Sequence, residues 1–101
     1  MIKLIDKNQK EIRVLCERFS VKKLEIFGSA AEKNFTSQSD LDFLVEFQPL
    51  SPVEHKDAYF GLLDSLRDLF NRSIDLLETE AIDNPYFLES INRHRVQLYA
   101  A

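Results

Sequence analysis

The 101-residue chain contains one cysteine, Cys16, and no tryptophan. A single cysteine excludes an internal disulfide, which agrees with a reducing cytosol. No apolar run approaches the ~18 residues that a transmembrane helix needs. The N-terminal segment carries Lys3, Asp6 and Lys7 and lacks the continuous apolar core of a signal peptide. These absences predict a cytoplasmic protein without a membrane partner.

The chain also lacks an excess of basic residues, since 13 Lys and Arg stand against 17 Asp and Glu, a net charge of −4. Proteins that hold long nucleic acids by their phosphates usually carry a basic stripe. The clearest basic clusters, Lys22-Lys23 and Arg93-His94-Arg95, are short, and a solvated helix end or strand start explains them better. We therefore expect no direct nucleic-acid binding. His55 is far from His94 in sequence, so both are interpreted as lone surface histidines.

What is present is an ordinary globular composition, 45% apolar and 30% charged, in a length that fits one domain spanning 1–101. Periodicity and turn residues predict alternating helices and strands. Cys16 falls on the apolar stripe of the first helix, which favours buried packing. We expect an α+β fold with α/β-type alternation, in which helices pack against a small mixed sheet of three to four strands. The predicted elements are a helix over 5–19, a strand over 24–27, a short helix after the turn at 28–31, a strand over 41–47, a helix from a capping box at Ser51 to about Phe70, a strand over 74–77, a helix from Asn84-Pro85 to about Arg93, and a short terminal strand over 96–99.

The strand at 41–47 carries two carboxylates on one face. Side chains alternate along a strand, so Asp40 and Asp42 share a side, opposite the core positions Leu41 and Phe43. Their Cα atoms are expected ~7 Å apart. Two neighbouring carboxylates repel each other unless a cation lies between them, and Mg²⁺ prefers one or two carboxylates plus substrate phosphates. Glu46 shares this face but lies nearer the far end of the strand.

A third acid, Asp75, interrupts the apolar strand at 74–77. A lone aspartate there is costly to bury unless it is paired, hydrogen-bonded or bound to metal. If this strand lies beside the 41–47 strand, Asp75 completes a cluster of three carboxylates. Such a cluster could hold two metal ions that clamp the attacking and leaving oxygens of an in-line phosphoryl displacement.

The dipeptide Gly28-Ser29 follows a strand and precedes a predicted helix start. A helix N-terminus offers free N–H groups, and glycine lets phosphate oxygens approach closely. The Ser29 hydroxyl adds a further donor. Alone, this dipeptide is far more often a simple turn with an N-cap, and Asp-Leu-Asp alone is usually a solvated loop. Together they indicate a phosphate-binding and metal-binding centre.

Ten residues separate Ser29 from Asp40, so the chain reads Gly-Ser, ten residues, then Asp-Leu-Asp. This pattern resembles the signature of the DNA polymerase β-like nucleotidyltransferase superfamily. The segments 27–31 and 39–47, with Ile74-Asp75-Leu76-Leu77 and the ending 96–99, resemble the minimal nucleotidyltransferase (MNT) family, over nearly the whole chain. The resemblance implies a nucleotidyltransferase fold.

The resemblance also implies residue roles and partners. Asp40 and Asp42 match the two metal-binding aspartates, and Asp75 matches the third carboxylate, which helps bind metal and activates the attacking hydroxyl. Gly28 and Ser29 match the pair that holds the β- and γ-phosphates. The implied reaction is Mg²⁺-dependent transfer of AMP from ATP to a hydroxyl, with a tyrosine of a HEPN-domain toxin as the usual acceptor and this chain as its antitoxin.

Several alternatives remain open. Many MNT proteins show Arg-Gly where this chain has Glu32-Lys33, and an acidic residue near a triphosphate is unfavourable. That departure favours a catalytically weak or silent nucleotide-binding antitoxin that acts by occlusion. Adenylylation of a small molecule is a third hypothesis, in which the second subunit of a homodimer would supply the other wall of the pocket. If the acceptor is instead a partner protein, a hetero-oligomer is expected. Three aromatic residues could form a partner surface or pack on the sheet: Tyr86, Phe87 and Tyr99.

Overall fold

The computed structural model describes residues 3–28 and 40–101, without the side chains of 90–94. Helices and strands alternate in both ranges, as predicted. The elements are α1 (Lys3–Lys7), α2 (Gln9–Arg18), β1 (Val21–Phe27), β2 (Leu41–Phe47), α3 (Pro52–Phe70), β3 (Ile74–Glu78), a 3-10 turn (Thr79–Ala81), α4 (Pro85–His94) and β4 (Val96–Ala100). The short helix predicted after Gly28 lies outside the described residues.

The four strands form one mixed sheet in the order β3-β2-β1-β4. β1 pairs antiparallel with both β2 and β4. β2 and β3 run parallel, and α3 supplies the crossover that a parallel pair requires. This confirms the mixed sheet of three to four strands, and it places the 74–78 strand directly beside β2.

The predicted first helix is in fact two helices, because Asn8 interrupts it. The Asn8 side-chain amide donates to the carbonyl of Leu4 at 2.8 Å, and its backbone N–H donates to the carbonyl of Ile5 at 3.1 Å. Asparagine competes in this way for backbone groups that a helix would otherwise use. The backbone N–H of Ile12 then donates to the carbonyl of Asn8 at 2.9 Å as α2 begins. The hydrophobic spacing continues across the break, which is why periodicity alone did not reveal it.

The first strand begins at Val21, three residues earlier than predicted. α2 ends at Arg18, and Ser20 adopts φ +57°, which turns the chain directly into the sheet. Val21 then pairs with Phe47, the last residue of β2. Lys22-Lys23 therefore lies within the strand, where Lys22 Nζ contacts Glu46 Oε2 at 3.4 Å. Cross-strand pairing lengthens β1 beyond its apolar core.

Both predicted helix starts have the expected caps. Ser51 Oγ accepts the backbone N–H of Glu54 at 3.3 Å and donates to Glu54 Oε1 at 2.9 Å, with Pro52 at the first helical position. α3 ends after Phe70, since Asn71 adopts φ +52°. The side chain of Asn84 accepts from two backbone N–H groups at the start of α4. These local bonds confirm the capping box and both proline positions.

One face of the sheet packs against the helices α1, α2 and α3. Cys16 is fully buried there, and burial raises the pKa of its thiol to about 12. The predicted packing role of Cys16 is thus confirmed. Among the residues that the structure describes, no helix is both long enough and apolar enough to cross a bilayer. The fully buried side chains of this core include Ile5, Ile12, Leu24, Ile26, Leu41, Phe43, Val45, Leu62 and Leu66.

The opposite face of the sheet is also partly covered. Leu44 is buried there with Phe27, and Leu77 and Ile82 pack against them. Glu25 is buried on β1 beside this cluster, and its carboxylate meets Arg95 Nε at 3.2 Å. The basic segment 93–95, read from sequence as solvated, therefore contributes an ion pair that compensates a buried charge. The α4 segment consequently belongs to this acidic face of the sheet.

Candidate active site

Asp42 and Asp75 lie directly opposite each other on neighbouring strands. The parallel register of β2 and β3 pairs Asp42 with Asp75 and Phe43 with Leu76. Paired residues in a ladder point to the same face, about 4.8 Å apart from strand to strand. The Asp42 side chain is half-buried and Asp75 is exposed. The structure thus brings together two acids that are far apart in sequence.

Asp40 stands at the residue before β2 and is exposed. Burial raises the pKa of the Asp42 carboxyl, and the charges of Asp75 and Asp40 raise that pKa further. Both neighbouring carboxylates are therefore close enough to repel the charge on Asp42. A cation placed between the three would relieve this repulsion.

Gly28 directly follows β1, on the side of Asp42 opposite Asp75. Its φ is +71°, a conformation that side chains rarely adopt. A Cβ at this position would collide with Asp42 Oδ2 and lie 3.3 Å from Asp42 Cγ. Glycine is thus required both by the backbone and by the closeness of the carboxylate. Ser29, the other half of the predicted phosphate-binding pair, lies outside the described residues.

The donor set fits Mg²⁺. Hard carboxylate oxygens are its preferred protein ligands, and one or two carboxylates suffice when substrate phosphates complete the shell. Within residues 3–28 and 40–101, no group of three His, Cys, Asp or Glu side chains is arranged so that it could hold a metal ion by itself. An open set of this kind, in which Asp42 faces Asp75 and Asp40 adjoins them, suits a metal shared with a nucleotide rather than a structural ion.

The chain matches the nucleotidyltransferase domain over residues 9–98. The chain belongs to the nucleotidyltransferase domain family. A candidate protein adenylyltransferase of Methanocaldococcus jannaschii is 42% identical over 83 residues, which are 82% of this chain and 82% of that protein. The family predicted from Gly28-Ser29 and Asp40-Leu41-Asp42 is confirmed.

Solved structures confirm the nucleotidyltransferase fold. A crystal structure of a toxin–antitoxin with AMP-PNP matches with a TM-score of 0.70 at 18% identity, over 93% of this chain and 74% of that chain. A structure of a tri-AMPylated Shewanella oneidensis HEPN toxin in complex with MNT antitoxin matches with a TM-score of 0.64 at 17% identity, over 95% and 72%. At these identities the similarity concerns the fold.

Beside the carboxylates, this nucleotidyltransferase domain has a groove that sequence reasoning missed. The groove, about 350 Å³ in volume, runs between β3 and the start of α4 and is called the β3–α4 groove here. In the sequence, the pair Tyr86 and Phe87 is the one indication of such a surface, because these aromatic residues could either form a partner surface or pack on the sheet. Its lining includes Asp75, Leu77, Ile82, Asp83, Asn84 and Phe87.

Tyr59 is a second residue whose position the sequence did not reveal. It projects from α3, and its hydroxyl donates to the backbone carbonyl of Leu76 at 2.7 Å. Burial raises the pKa of its phenol, and the charges of Glu78 and Asp75 add to that rise. The bond ties α3 to the β3 residue that follows Asp75. Helical spacing indicated only that Tyr59 belongs to the apolar face of α3.

Two further polar residues singled out from the sequence, Glu46 and His55, contact other partners than the three aspartates. Glu46 contacts Lys22 at the far end of β2 and does not join the site. His55 is not a lone histidine, because its Nε2 contacts the carboxylate of Glu78 and its ring lies 5.2 Å from that of Phe47. The side chain of His94 and the segment Glu32-Lys33 lie outside the described residues.

Proposed function

We propose that this domain transfers AMP from ATP to a hydroxyl group, with a tyrosine of a HEPN-domain toxin as acceptor, and so acts as that toxin's antitoxin. The observation that carries the proposal is the in-register pairing of Asp42 with Asp75 beside the left-handed Gly28. The adenylyltransferase name of the 42% identical relative and the AMPylated HEPN toxin in the complex of matching fold support the acceptor.

In the proposed reaction the acceptor oxygen attacks the α-phosphorus of ATP. An oxygen–phosphorus bond forms, the bond from the α-phosphorus to the bridging oxygen breaks, and pyrophosphate leaves. Asp75 would accept the hydroxyl proton, and Asp40, Asp42 and Asp75 are the residues that would hold Mg²⁺. When bound, the metal would neutralise the charge of the triphosphate. Gly28 and Ser29 hold the β- and γ-phosphates through backbone N–H groups and a hydroxyl.

The test mixes the protein with a HEPN-domain partner protein, ATP and Mg²⁺, and measures intact masses. We expect an AMP adduct on the partner. Asp42→Asn should slow its formation by more than about tenfold, since even the loss of an outer-shell partner of a metal ligand costs about 10–100-fold. Asp64→Asn is the matched control, since Asp64 is an exposed acid of α3 whose carboxylate lies 3.8 Å from Arg67 Nη1, on another element than the candidate site. If the partner stays unmodified under conditions in which an active homologue modifies its own partner, the proposal is wrong.

Occlusion is the second candidate, favoured by Glu32 at a position where MNT proteins often carry arginine. In that case the domain neutralises its partner by covering it, without chemistry. Cells that carry the toxin and the Asp40→Ala/Asp42→Ala variant distinguish the two. Transfer of AMP requires that this variant fail to protect the cells, whereas protection equal to wild type would assign neutralisation to occlusion.

A further inference from the structure

The β3–α4 groove shares one residue with the carboxylate cluster. Asp75 lines it, together with the apolar side chains of Ile82 and Phe87. Phe87 is 40% exposed although its ring packs edge-on against Phe27 with centroids 6.4 Å apart. Its neighbour Tyr86 is 82% exposed. Large aromatic side chains displayed beside a concavity are typical of a surface that receives a partner.

The groove lies on one defined side of the carboxylates. The strand order β3-β2-β1 puts Asp75 and Gly28 on opposite flanks of Asp42. With the leaving pyrophosphate at Gly28, an in-line displacement requires the attacking oxygen on the opposite flank. That flank is formed by β3, which lies two strand spacings, or about 10 Å, from β1. The groove that opens at Asp75 is therefore on the acceptor side of the reaction.

The lining of the groove indicates the chemistry of its occupant. Leu77, Ile82 and Phe87 offer apolar surface to a ring. Asp75 and Asp83 make its charge negative, the Glu78 carboxylate being paired with His55, and no Lys or Arg lines it among the residues with described side chains. An aromatic side chain that bears a hydroxyl and has basic neighbours would match both properties.

Building on the proposed function, we propose that the β3–α4 groove binds the acceptor tyrosine and its basic neighbours. In this arrangement the ring packs against Phe87 and Ile82, and its hydroxyl points to Asp75. Asp83 interacts with a basic residue next to the tyrosine in the partner. Phe87 and Asp83 are thus residues that determine acceptor specificity, whereas Asp40 and Asp42 serve the nucleotide.

The experiment measures binding separately from chemistry. Fluorescence anisotropy follows a labelled peptide with one tyrosine between lysines, and its acidic counterpart with the tyrosine between glutamates. Wild type should bind the basic peptide more tightly than the acidic one. Phe87→Ala should weaken the basic peptide about tenfold, as loss of a central aromatic contact does. Asp83→Lys should weaken the basic peptide and strengthen the acidic one.

Two controls keep the result specific. Phe60→Ala removes another exposed aromatic residue, 52% exposed on α3 and outside the groove lining, and should leave peptide binding unchanged. The affinity of each variant for AMP-PNP with Mg²⁺ should equal that of wild type. If Phe87→Ala instead weakens AMP-PNP and spares the peptide, the groove holds the nucleotide and the assignment is wrong.

The outcomes separate this inference from the proposed function. Peptide binding that depends on Phe87 and Asp83 without any AMP transfer would uphold the groove and defeat the enzymatic proposal. If AMP transfer to the intact partner is unaffected by both substitutions, the enzymatic proposal is upheld and the groove assignment is wrong. Absence of peptide binding by wild type, or equal affinity of wild type and Phe87→Ala, would overturn the groove assignment.

Discussion

At the scale of single residues, Gly28 links the phosphate-binding position to the carboxylates. Its φ of +71° strains any side chain placed there, and a Cβ would displace Asp42 Oδ2. The contact explains in physical terms why a glycine and an aspartate fourteen positions apart in sequence occur together in this chain. A substitution of Gly28 should therefore displace the Asp42 carboxylate, although Asp42 itself is not substituted.

We predict that Gly28→Ala lowers the free energy of unfolding by about 1–3 kcal/mol, the usual cost of a strained backbone. It should also reduce AMP transfer, because the new methyl group displaces the Asp42 carboxylate. Urea denaturation and the intact-mass assay measure the two effects. In the Asp42→Ala background the collision partner is gone, so the same substitution should cost less stability. An equal cost in both backgrounds would contradict the steric contact.

At the scale of elements, short polar side chains decide where the helices begin and end. Ser51 and Asn84 start α3 and α4 by accepting backbone N–H groups, and Asn71 in the left-handed region ends α3. Asn8 breaks the first helix by the same chemistry. The sequence predicted Ser51 and Asn84, because capping signals there coincide with a change of hydrophobic pattern, and it predicted the end of α3 near Phe70 without identifying Asn71. It missed Asn8, because the apolar spacing passes unchanged from Ile5 to Ile12.

We predict that Ser51→Ala destabilises the protein by about 1 kcal/mol, since the N–H of Glu54 loses its acceptor. Ser51→Asp, another good N-cap, should restore most of that stability. Denaturant midpoints at pH 7 measure both changes. Because Ser51 is remote from the carboxylates, AMP transfer per folded molecule should be the same in all three proteins. A loss of activity that exceeds the loss of folded protein would show that α3 affects the site directly.

At the scale of the whole molecule, Cys16 reports on the integrity of the core. It is fully buried between α2 and the sheet, and burial raises its pKa from 9.0 to about 12. The neutral thiol is the form that the folded state prefers. Its contribution to stability is therefore complete below pH 9.0 and declines as the pH rises towards 12.

We predict that iodoacetamide labels Cys16 at pH 8 only when the protein unfolds, so that urea accelerates labelling in parallel with the loss of helical circular dichroism. The control is Cys16→Ala/Val14→Cys, which moves the thiol to a position of α2 that is 57% exposed. That variant should label at once while folded. Rapid labelling of folded wild type would show that the helices open without global unfolding.

The chemistry of the candidate site was readable from the sequence because it depends on residue types at short spacing. Gly28-Ser29 with Asp40 and Asp42 indicated the nucleotidyltransferase family, which the family match confirms. Alternation also placed Leu41, Phe43, Val45 and Phe47 in the core, where all four are buried. The roles of Gly28, Ser29, Asp40 and Asp42 in metal and phosphate binding remain predictions.

Only the tertiary structure decided how these parts meet. The 19-residue helix α3 separates β2 from β3, so nothing local could set the register that pairs Asp42 with Asp75. The β3–α4 groove likewise exists because α4 returns across the acidic face and brings Phe87 to Phe27. Short-range patterns determine element type and side-chain chemistry. Register and concavity follow from the packing of distant segments, in which the burial of apolar surface by the whole chain selects one arrangement.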